Sequence, residues 1–92
     1  MAYRVFETDQ NGVDALTQDD LVNRQTLIIK DGKPWDVDGK VVLVDGSEAA
    51  LEQAEALIKE AGGSVSEKGA KIKADLDEEG EGAAEGVGFL FG

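Results

Sequence analysis

The chain has 92 residues, with nine Lys or Arg against twenty Asp or Glu, a net charge of −11, and neither Cys nor His. That length suits one domain around one core. The absence of Cys and His excludes disulfides, thiolate zinc sites and the commonest general base, and the charge opposes binding to nucleic-acid backbones and anionic membranes.

Residues 3–7, YRVFE, alternate as a first strand, with Tyr3 and Val5 on one face and Arg4 and Phe6 on the other. No cationic lead or apolar segment resembling a secretory signal precedes them. No later run approaches the roughly 20 apolar residues that span a bilayer, so a cytoplasmic protein is the expectation. Residues 8–18 are polar, and Thr17 with Asp20 predicts the cap of a short helix over 18–24. Residues 26–30, TLIIK, read as a strand. Asp31-Gly32 supplies a tight hairpin turn, because such turns need positive φ. Residues 33–37 then read as a return strand, confined to a sheet edge by Pro34, which lacks an amide donor. A second Asp-Gly pair, Asp38-Gly39, leads into Val41-Val42-Leu43-Val44. This unbroken, mostly β-branched run predicts an interior strand buried on both faces.

Asp45-Gly46-Ser47 breaks the strand and caps a helix over 48–61. Ala50, Leu51, Ala54, Leu57, Ile58 and Ala61 share one face at the 3.6-residue period. Gly62-Gly63 ends the helix. Residues 64–67, SVSE, and a turn at Lys68-Gly69 lead into an alternating run at 70–76, with Ala70, Ile72, Ala74 and Leu76 on one side. Residues 77–86 are rich in Gly and Glu and read as a flexible acidic loop. Residues 87–92 return to apolarity, either as a last strand burying Phe89 and Phe91 or as a tail for a partner's groove. The sum is a single α+β domain over 1–92. It has a mixed or mainly antiparallel sheet of about five or six strands, one main helix (48–61) and one short helix (18–24). The second face of the sheet is covered by the short helix or left open.

Two acidic spacings suggest chemistry. Glu7, Asp9 and Asn11 alternate, Gly12 follows, and Asp20 closes the segment. Over residues 6–21 this pattern resembles the EF-hand calcium loop, in which alternate oxygen-bearing side chains converge on the ion and a glycine makes the sharp turn. The resemblance implies Ca2+ held by Glu7, Asp9, Asn11 and Asp20. The alternative is a polar loop whose Asp and Asn residues make turns. Asp75, Asp77 and Glu79 repeat the alternation, as weak cation ligands or as a solvated linker.

Ser47, Ser64 and Ser66 have no His to activate them, and nothing pairs a nucleophile with an oriented base. Asp45 and Glu48 would repel a phosphate from the amides that start the main helix. Trp35, the single tryptophan, reads as a core anchor or, if exposed, as a partner-binding residue alongside Phe89 and Phe91. These features order the functional classes. A non-catalytic acidic interaction domain comes first, facing a basic protein surface. A calcium-binding protein comes second, and a small enzyme or accessory subunit third.

Overall fold

An unbroken run of β-branched side chains needs cover on both faces, and the chain folds so as to provide it. The computed structural model describes residues 2–86, with side chains from residue 2 to residue 78. The elements in order are β1 (Ala2–Thr8), α1 (Gln10–Gln18), β2 (Thr26–Asp31), β3 (Lys40–Gly46), α2 (Glu48–Glu60), β4 (Ser64–Val65) and α3 (Gly69–Gly86). Short 3₁₀ turns occupy Val22–Arg24 and Lys33–Trp35.

The sheet order is β2-β3-β1-β4, and every pairing is antiparallel. β1 and β2 therefore run parallel with β3 between them, and β3 and β4 run parallel with β1 between them. Each such pair is linked by one helix, which gives the interleaved, split β-α-β arrangement of ferredoxin-like topologies. β3 is interior, as its composition predicts: Leu43 lies opposite Val5 on one side and Ile28 on the other.

One face of the sheet carries α1 and α2. There Phe6, Val42 and Val44 pack with Val13 and Leu16 of α1 and with Leu51, Ala54 and Ile58 of α2. The opposite face carries α3, whose Ile72 and Leu76 pack on Val5, Val41, Leu43, Trp35 and Val37. α2 forms where its capped, alanine-rich face predicts. Ser47 Oγ accepts the Ala50 amide at 3.2 Å, and Gly62 at φ +90° supplies the left-handed residue that ends the helix.

The α+β class holds, but the strand and helix counts do not. Among the described residues there are four strands rather than five or six, and three helices rather than two. The predicted short helix over 18–24 is displaced toward the amino terminus. Asp9 Oδ1 accepts the Gly12 amide and starts α1 at Gln10, leaving only a 3₁₀ turn at Val22–Arg24.

Residues 33–37 are not a return strand. Pro34 suits the first turn of a 3₁₀ helix, and Asp36 at φ 58° turns the chain back. The Gly32 amide donates to the Gly39 carbonyl, so β2 and β3 form one hairpin with a long loop that folds Trp35 and Val37 inward. Gly39 sits at φ +91°, and a Cβ there would lie 2.5 Å from the Thr8 carbonyl oxygen. Residues 70–76 form helix rather than strand and continue through the expected 77–86 loop. Ile72 and Leu76 are one helical turn apart, which buries both on one side. Residues 87–92, with the strand or tail expected there, lie outside the described residues.

Candidate functional site

The two acidic spacings fall on quite different structures. Glu7 is the penultimate residue of β1 and accepts a hydrogen bond from Ser66 Oγ at 2.7 Å. Asp9 is the N-cap of α1, and Asn11 lies exposed within that helix. Asp20 is exposed in the turn before Val22. Glu7 and Asp9 do share a surface pocket of about 270 Å³ with Thr8, Asp38, Gly62 and Ser64. Asn11 and Asp20 do not line it. Among the described residues no group of three or more carboxylates is placed to hold a metal ion.

Asp75 and Asp77 lie on α3 and have partners of their own. Asp75 Oδ2 accepts the Trp35 indole N–H at 2.7 Å and the Lys71 ammonium at 3.3 Å. Asp77 Oδ2 accepts the Lys73 ammonium at 2.7 Å. The side chain of Glu79 and the whole of Phe89 and Phe91 lie outside the described residues. Trp35 is only 6% exposed and anchors the hairpin loop on α3, a position that withdraws its ring from a partner.

These contacts shift several proton affinities. The Trp35 hydrogen bond, helped by Lys71, holds Asp75 below the ordinary carboxylate range. Lys59 and, secondarily, Arg4 do the same for Glu55. Gln53 and the Val22 amide lower Asp19. Lys73 is raised, chiefly by its bond to Asp77.

The sheet itself offers the more distinctive surface. Its two edges differ. β4 is short and pairs only with Phe6 and Glu7 of β1, which leaves Ala2, Tyr3 and Arg4 without a strand neighbour on that side among the described residues. Charge guards this gap. Arg4 pairs with Glu55 at 3.1 Å and Glu48 at 3.6 Å, and Lys59 pairs with Glu55 at 2.9 Å. Charged side chains at a sheet edge discourage strand addition.

β2 forms the other edge, and its centre is apolar. Among the described residues it has a neighbour on one side only, β3. Ile29 is 40% exposed, and Leu27 and Ile28 are half-buried. Leu27 leans on the α1/α2 core and Ile28 on the α3 core, so the strand is held firmly while its outer margin faces away from the domain. Charge lies at its ends, where Arg24, Lys30, Asp31 and Lys33 fall in sequence and Asp45 and Lys40 of β3 stand opposite Thr26 and Asp31.

Sequence reasoning identified this strand but not its place at the rim. A Thr-Leu-Ile-Ile run reads alike in the middle or at the edge of a sheet. The one local hint is the pair of charges, Lys30 and Asp31, that closes it. No family model, curated protein or solved structure matches the chain. No helix among the described residues is long and apolar enough to cross a membrane.

Proposed function

We propose that this is a non-catalytic interaction domain whose recognition element is the open edge of β2. The observation that carries the reading is a six-residue edge strand with three consecutive apolar residues, Leu27, Ile28 and Ile29, at its centre. An edge strand presents alternate backbone N–H and C=O groups that want partners, and an added strand satisfies them by β-augmentation. The main-chain bonds supply affinity. Side chains on the two faces of the pairing supply selectivity, with Leu27 and Ile29 on the α1/α2 side and Ile28 on the α3 side. The guarded edge at Arg4 shows the contrast within one molecule.

A photo-crosslinking amino acid placed at Ile29, with the same probe at exposed Glu52 of α2 as control, tests the reading in extracts of cells that make the protein. Discrete adducts specific to position 29 are expected. Equal labelling at both positions, or no adduct at 29, contradicts it.

A further inference from the structure

We infer that the strand added to β2 is β2 of a second copy of this chain, paired antiparallel so that the two sheets become one. This rests on the β2 edge being the recognition element and goes further by naming its occupant. The argument is the self-complementarity of the strand. A two-fold axis perpendicular to the sheet keeps the α1/α2 face of both copies on one side. Directly opposed residues must then both be even-numbered or both odd-numbered, because side chains alternate between faces.

Two registers satisfy this near the middle of the strand. In the first, Ile28 lies opposite Ile28 of the second copy, Leu27 opposite Ile29 twice, and Thr26 opposite Lys30 twice. Every apolar side chain meets an apolar one, and no like charges are opposed. In the second, Ile29 lies opposite itself, but Ile28 faces Lys30 and Leu27 faces Asp31, each twice. Cross-strand pairs of apolar residues stabilise a sheet, and apolar side chains set against charges do not, so the first register is favoured.

Charge bears on the register as well. Each copy carries −11 overall, and the favoured register sets no two like charges opposite one another, since Lys30 meets Thr26 of the second copy. In the resulting order, β4-β1-β3-β2 of one copy continues into β2-β3-β1-β4 of the other, and neither apolar rim is left in water.

The chain has no native Cys, so single-cysteine variants report the register cleanly. Opposed residues in an antiparallel pair have Cα atoms about 4.5–5.5 Å apart, within disulfide range. In the favoured register Ile28→Cys meets itself. Ile29→Cys is offset from its copy by two residues, roughly 8 Å in Cα separation, which is too far to bridge.

The measurements are the light-scattering molar mass of the full unmodified chain across a concentration series at moderate salt, and the rate of disulfide-linked dimer formation for Ile28→Cys, Ile29→Cys and Glu52→Cys. The expected result is a mass rising from 9.7 kDa toward twice that value, with Ile28→Cys crosslinking at least tenfold faster than the other two. A mass that stays monomeric at every concentration overturns the inference. So does a dimer in which Ile28→Cys crosslinks no faster than Glu52→Cys. Faster crosslinking at Ile29→Cys overturns the stated register. The unmodified chain supplies the mass result should a variant fold poorly. If the purified chain is monomeric while the probe at Ile29 still captures a different protein, self-pairing falls and the edge reading survives. Loss of both sinks the two together.

Discussion

Thr8 and Asp45 each hold a buried side-chain oxygen with no hydrogen-bond partner among the described residues. Thr8 is 7% exposed, and the oxygen concerned is its hydroxyl. An orphaned buried hydroxyl costs about 1–3 kcal/mol, and replacing it by an apolar group of the same shape removes that cost. Thr8→Val is therefore expected to raise the unfolding free energy by about 1 kcal/mol, read as a higher urea midpoint with an unchanged slope. A lower midpoint would show that the hydroxyl does have a partner in solution.

The Trp35–Asp75 bond joins residues forty apart in sequence. Nothing local announces it, which is why Asp75 reads in the sequence as a cation ligand and in the structure as a tether. Asp75, Glu55 and Asp19 all bind their protons less tightly when folded than unfolded. Their contribution is full above their ordinary values of 3.8 to 4.5 and is lost as pH falls through the lower, folded ones. Lys73 has the opposite sign. Its contribution is full below 10.5 and disappears as pH rises through its raised folded value. A stability plateau between about pH 5 and 10 is expected, with loss beyond both ends. Trp35 fluorescence should shift on the acid side, and Asp75→Asn should blunt that shift. Stability that climbs steadily as pH falls through about 4 contradicts this assignment.

At the scale of elements, legibility followed the range of the signal. β3 and α2 were written locally: a β-branched run needing two-sided cover, then a cap, an apolar stripe and a glycine stop. α3 was written locally as well, but in two voices. Ala70, Ile72, Ala74 and Leu76 alternate as a strand would, while Ile72–Leu76, Lys71–Asp75 and Lys73–Asp77 are spaced by four as a helix would space them. The helix prevails because alanine favours helix and adds little to a pleated surface, and because the sheet face bearing Val5, Val41 and Leu43 needs a cover. The same face explains residues 33–37. As a strand they would have left Trp35 at a rim, whereas the 3₁₀ turn folds it under α3.

Ile72 is fully buried at this contact, so Ile72→Ala is expected to cost about 2–5 kcal/mol in urea unfolding followed by far-UV dichroism. A loss below about 0.5 kcal/mol, the level of an ordinary surface change, would mean that α3 does not roof the sheet.

For the whole molecule, the order β2-β3-β1-β4 decides what remains available for binding. Helices occupy both faces, ion pairs guard the β1 margin, and among the described residues β2 is left with an apolar free side. That outcome depends on pairings between distant segments, so composition and periodicity could supply the α+β class but not the rim. The central claim is that the outer margin of β2 stays open in the isolated chain. Amide hydrogen exchange, followed by NMR on dilute protein, addresses it most directly. The account predicts slow exchange at every amide of Val41–Val44, and along Thr26–Asp31 an alternation in which inward amides are slow and outward ones are fast. Uniform protection of all six β2 amides, equal to that of β3, would show the margin already covered and contradict the account.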